Sequence, residues 1–81
     1  MTYSILIEKI TDGSLSEDYY YAHVPVLDLT THGKGISGAK NAAIDLINLW
    51  IEEKRANGEA VPVEIEAYYS KVEIKDAVLS A

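Results

Sequence analysis

Gly33-Lys34-Gly35-Ile36-Ser37-Gly38 spells G-x-G-x-x-G, between an apolar stretch and a long helical pattern. That is the nominal setting of a dinucleotide fingerprint, in which glycines let a pyrophosphate approach the backbone at a helix N-terminus. The fingerprint needs a quick return to a parallel strand that ends in an acidic residue about 20 positions on. Here that position is still inside the helical pattern. The chain is also short for a nucleotide and a substrate together, and the Gly-Lys-Ser/Thr end of a phosphate loop is missing. The glycines therefore read as a flexible turn leading into a helix cap. A weak anion site at the helix start, assisted by Lys34, is the chemistry they leave.

Two histidines, His23 and His32, could act as bases or ligands. Neither has an Asp or Ser at an activating spacing within its own element, so both read as hydrogen-bonded or exposed side chains. Tyr19, Tyr20 and Tyr21 are consecutive and split between two strand faces. Tyr19, Tyr21 and His23 share one of them. Stacking on nucleic-acid bases would call for interleaved basic residues, and there are none. A protein interface, where tyrosine is enriched, suits them better; sheet packing is the plain alternative.

The 81 residues carry 13 acidic and 7 basic side chains, a net charge of −6. An acidic chain without a Lys/Arg cluster makes a poor nucleic-acid binder, because phosphate neutralisation supplies most of that affinity. With no cysteine there is neither a disulfide nor a thiolate metal site. The length allows one domain, residues 1–81, with one small core, a size at which staples or partner subunits become common. No apolar run reaches the roughly 18 residues of a membrane span. Met1-Thr2-Tyr3-Ser4 lacks the charged start of a secretory signal, and together with the absent cysteines this points to the cytoplasm.

These residues must be positioned by a helix and a few strands. The longest pattern, Ile36 to Asn57, predicts one amphipathic helix. At about 100° per residue, Ala39, Ala43, Leu46 and Trp50 fall on one line with Ile47 beside it. Ile44 and Ile51 widen the stripe on one flank, Ala42 and Leu49 on the other. Asn41, Asp45, Asn48, Glu52 and Arg55 share the opposite side. The apolar arc spans roughly 200°, twice what a one-sided helix needs. Either the helix is sandwiched between two surfaces or one flank meets another chain, and Ile44 and Ile51 are the candidates for self-association. Trp50, the largest apolar group, is the expected core anchor. Gly35 or Ser37 would cap the start, and Gly58 the end.

Before the helix, alternation predicts strands at Thr2 to Ile10, Tyr19 to Val24 and Val26 to Thr31, with Asp12-Gly13 opening a loop. Short links favour an antiparallel meander. After Pro62, both Val63 to Ala67 and Lys71 to Lys75 alternate; a final strand is placed at about Val72 to Ala77. The expectation is a two-layer α+β domain of order β-β-β-α-β, with the helix on one sheet face.

In this order the residues resemble the HicB-type antitoxin domain of bacterial and archaeal toxin–antitoxin pairs. Tyr20-Tyr21-Ala22-His23-Val24-Pro25 is similar to that family's tyrosine-rich strand ending in Val-Pro. Leu27 and then Thr31-His32-Gly33 follow, like its Thr-Gln-Gly. Ala39, Ala43, Ile47, Leu49 and Trp50 fall where it has its helix core, and Gly58-Glu59 with Pro62 resembles its Gly-Glu-x-x-Pro exit. The chain departs from the pattern in lacking a Pro-Gly turn after the second strand. It has Lys34-Gly35 in place of an Asp-Thr helix start, and Ser37-Gly38 in place of a Glu-rich first turn. Full-length members often add a C-terminal DNA-binding module. The sequence stops about where that would begin, so operator binding is not expected of this chain alone.

The resemblance implies a partial RNase H-like fold, self-association into dimers or tetramers, and a small basic HicA-type toxin that cleaves RNA. The antitoxin would act by masking the toxin, with Tyr19, Tyr21 and His23 as the expected contacts. No catalytic residue, cofactor or metal is expected. Two other readings stand beside it: an orphan oligomeric binding module without a toxin, and a degenerate RNase H-like nuclease holding two metals. The nuclease would draw on Glu8, Asp28, Asp45, Glu64, Glu66 and Glu73. Carboxylates at alternate strand positions more often form the wet face of a sheet.

Overall fold

The computed structural model describes residues 1–11, 13 and 17–75. Three antiparallel strands, β1 (Leu6–Lys9), β2 (Tyr19–Val24) and β3 (Leu29–Lys34), form a meander in that spatial order. A single long helix, α1 (Gly35–Ala56), follows and lies across one sheet face. The two-layer α+β arrangement is as the pattern predicts.

Three expectations need correction. The first strand is shorter than Thr2 to Ile10. Its register runs from Leu6 opposite His23 to Lys9 opposite Tyr20. Extended backwards, that register would set Ser4 against Pro25, which has no N–H to donate. The third strand is displaced. Pro25–Leu27 forms one 3-10 turn, with proline preset for its first position. Asp28 then adopts a left-handed conformation at φ 53°, and its N–H closes onto the Pro25 carbonyl at 3.1 Å. Only after this turn does the chain extend again, at Leu29.

The third correction concerns the end of the chain. Neither Val63 to Ala67 nor Lys71 to Lys75 forms a strand, and of the expected final strand, residues 76 and 77 lie outside the described residues. From Glu59 to Lys75 the chain is an arm without regular structure among the described residues. It meets the β1 side of the sheet through side chains. The Glu64 carboxylate, not a carbonyl, accepts the Ser4 N–H at 2.8 Å.

The core forms where the inner sheet face meets α1. Ala22 and Val24 from β2, Leu27 from the turn, and Ala39, Ala43 and Ile47 from the helix are buried together. The alanines allow the helix to approach the sheet closely. Gly33 and Gly38 approach closely, so that a Cβ on Gly33 would overlap the Gly38 carbonyl group and the Ala39 nitrogen. Gly35 begins the helix at φ 70°, a conformation only glycine adopts cheaply. Its N–H donates to the Asp18 carbonyl at 2.6 Å. The G-x-G-x-x-G run is thus a packing and turning device. The helix cap at the start is Lys34, without a side-chain bond, rather than Gly35 or Ser37.

At the far end, Gly58 has φ 69° as expected. Its N–H reaches the Arg55 carbonyl at 3.0 Å, and that of Glu59 reaches Lys54 at 2.9 Å, a Schellman cap. Trp50, the expected anchor, packs against the margin of the core and is half-buried, with the Lys54 ammonium 5.3 Å from its ring centre. Val24 is the largest side chain fully removed from water among the described residues.

Candidate functional site

The helix covers only one face of the sheet, and strand alternation decides what the other carries. Cross-strand register assembles it in three rows. Leu6, His23 and Thr30 form the first, Glu8, Tyr21 and His32 the second, and Tyr19 with Lys34 the third. Tyr19, Tyr21 and His23 therefore do share this outer face. They are half-buried by one another and by their neighbours, and each keeps an edge to solvent. Ring centres of Tyr19 and His32 are 6.2 Å apart, and those of Tyr21 and His23 are 5.9 Å apart, both tilted. These are ordinary aromatic packing separations. The four rings thus stand as two tilted pairs on one side of the sheet.

His23 has partners that reading along one strand could not reveal. Its Nε2 lies 3.1 Å from Glu8 Oε1, and its Nδ1 lies 3.1 Å from Thr30 Oγ1. In the neutral ring, Nε2–H donates to Glu8 and Nδ1 accepts from the Thr30 hydroxyl. The order carboxylate, imidazole, hydroxyl is the one that activates a nucleophile. Thr30 lies on the edge strand β3 and Glu8 on the edge strand β1, and the two bonds together fix the plane of the imidazole on the outer face. Sequence spacing missed these partners because they come from the two neighbouring strands.

The remaining carboxylates are dispersed. Glu64 is taken up by Ser4, and Glu66 accepts the Tyr68 hydroxyl at 2.5 Å, which pushes that phenol above its usual value. Among the described residues, no three His, Cys, Asp or Glu side chains come together as a metal site. Lys34, Gly35 and Ser37 at the helix start border a shallow open cleft with Asp18 and Tyr20. The Asp18 carbonyl there already accepts the Gly35 N–H.

The two residues proposed for self-association have different surroundings. Ile51 is half-buried and packs against the core. Ile44 is exposed and lines a cleft of about 330 Å³ with Tyr3, Ile5 and Ile47. On the other flank Leu49 is more exposed still.

No family model, no curated protein and no solved structure matches the chain. No helix among the described residues is long and apolar enough to cross a membrane.

Proposed function

We propose that this chain is a non-catalytic, HicB-like interaction domain that binds and masks a small basic RNA-cleaving toxin of the HicA type. The observation that carries this reading is the outer sheet face. Tyr19, Tyr21, His23 and His32 present two packed ring pairs on a face that the chain's own helix leaves open. Tyrosine offers large contact area with little side-chain entropy to lose, and it is enriched at interface centres. The net charge of −6 suits a basic partner. The β-β-β-α order agrees with the first four elements of the partial RNase H-like fold that the resemblance implies. The same reading includes a dimer or tetramer, with the Ile44 cleft as one contact, and action in the cytoplasm.

The test is reconstitution. A basic reading frame beside the gene is expressed with this chain, and the pair is co-purified. Tyr19→Ala combined with Tyr21→Ala should weaken the complex by two orders of magnitude or more, as interface hot spots do, and should restore RNA cleavage by the partner. Co-purification unchanged by these substitutions would remove the outer face from the proposal. Cleavage of RNA by this chain alone, lost in Glu8→Gln or Asp45→Asn, would replace it with the nuclease reading. Self-association without any co-purifying partner would favour the orphan oligomeric module.

A further inference from the structure

The arm after the helix is unusual for so small a chain. Most of its apolar side chains are exposed: Ile65 is 96% exposed, Val72 74% and Ile74 68%. No arm residue belongs to the core cluster. The radius of gyration is 15.6 Å, where a compact chain of this length has about 12 Å. Yet the arm is anchored at its root. The Tyr3 hydroxyl donates to the Pro62 carbonyl at 2.6 Å, and Glu64 holds Ser4. Beyond that root, residues 68–71 pass Leu6 across an open cleft.

The arm's sequence alternates with the period of a strand. Val72 and Ile74 share one side; Lys71, Glu73 and Lys75 share the other. Unpaired apolar segments of this kind are templates for pairing with another chain. A second copy is the occupant that the charges select. Parallel in-register pairing would set Lys71 against Lys71 and Glu73 against Glu73. Antiparallel pairing centred on Ile65 would oppose Glu64 and Glu66. Centred on Glu73, it would oppose Lys71 and Lys75. Centred on Val72, it sets Lys71 opposite Glu73 twice over, once for each half of the twofold. It also sets Val72 against Val72, Tyr69 against Lys75 and Ser70 against Ile74. Centred on Ile74, pairing would oppose Glu73 and Lys75 as well, but it would set the apolar Val72 against Asp76. Opposite charges across a ladder stabilise pairing and like charges oppose it.

We propose that residues 69–75 pair antiparallel with the same residues of a second copy, about a twofold axis through Val72. The contact is isologous and self-limiting, so it closes a dimer. Its residues are distinct from Tyr19, Tyr21 and His23, the contacts of the toxin-binding reading, although residues 69–71 border Leu6 at the margin of the same face.

Charge exchange tests it on the full chain. In sedimentation or light scattering at high micromolar concentration, the wild type should dimerise. Glu73→Lys should weaken the dimer by roughly tenfold, and adding Lys71→Glu should return it to within a few-fold of wild type. Trp50 fluorescence should not change, since the arm lies outside the core, while far-ultraviolet dichroism should lose strand signal in step with the dimer. A monomeric wild type overturns the proposal. So does a dimer indifferent to Glu73→Lys, or one rescued by Lys75→Glu in place of Lys71→Glu, which would mark a register centred on Ile74.

Discussion

Glu64 holds Ser4 with both carboxylate oxygens, one accepting the backbone N–H at 2.8 Å and the other the hydroxyl at 2.6 Å. The two residues are sixty positions apart, and this pair fastens the arm to the start of the sheet. Here a side chain does what a strand carbonyl does elsewhere, satisfying a backbone donor at an open edge.

That contact makes the arm sensitive to acid. The Ser4 hydroxyl, and then its N–H, hold the Glu64 carboxyl below its usual value. A carboxylate with a lowered pKa in the anchored state favours that state above its free pKa of about 4.3. The preference fades as pH falls through the lower, anchored value. Limited proteolysis at the anchored root, residues 61–64, should therefore be slow at neutral pH and accelerate in acid. Glu64→Gln should cleave quickly throughout, with a flat pH profile.

Gly33 and Gly38 face one another but should tolerate change very differently. A Cβ on Gly33 meets helix backbone that cannot swing aside, so Gly33→Ala should destabilise by about 3 kcal/mol, the upper range of overpacking. A Cβ on Gly38 comes no nearer than 3.6 Å to the strand backbone it faces. Gly38→Ala should stabilise by about 0.5–1 kcal/mol through helix propensity. Urea midpoints of the two variants should move in opposite directions.

Asp28 is a non-glycine residue with positive φ among those described. It closes the 3-10 turn with its backbone, and no side-chain bond is needed there. Asp28→Gly should raise stability by about 0.5–1 kcal/mol, the usual cost of a side chain in this conformation. Asp28→Val should lower it by more, because a β-branched residue is further disfavoured. Thermal unfolding followed by dichroism measures both.

Val24 is fully buried between sheet and helix. Val24→Ala removes two methyl groups and leaves a cavity, a loss of about 2–3 kcal/mol. Trp50→Leu, at the core margin, should cost less despite the larger change in volume. The ranking, read from denaturant midpoints, tests whether the small β2–helix contact or the tryptophan dominates the core.

Much of this was legible in the residues alone. The 3.6-residue period located the helix to within one position at each end, and Gly58 announced its cap. Alternation fixed Tyr19–Val24 and assigned its two faces, since a period of two follows from strand geometry whatever the strand packs against. Pro25 was legible as a break but not as the start of a 3-10 turn, because proline presets φ for several conformations equally well. The arm misled the pattern. Its period suits a strand, but a strand also needs an edge whose donors and acceptors meet its own.

Sequence by itself determined the helix, the central strand, the acidic charge and which residues could share a face. Those properties are local, set by side-chain chemistry and by backbone periods of 3.6 and 2. Tertiary structure decided which residues meet: His23 with Glu8 and Thr30, Gly33 with Gly38, and Ser4 with Glu64. Each of those pairings depends on strand register or on where the helix crosses the sheet. Both are fixed only when the whole chain finds the packing that buries Ala22 and Val24 against Ala39 and Ala43.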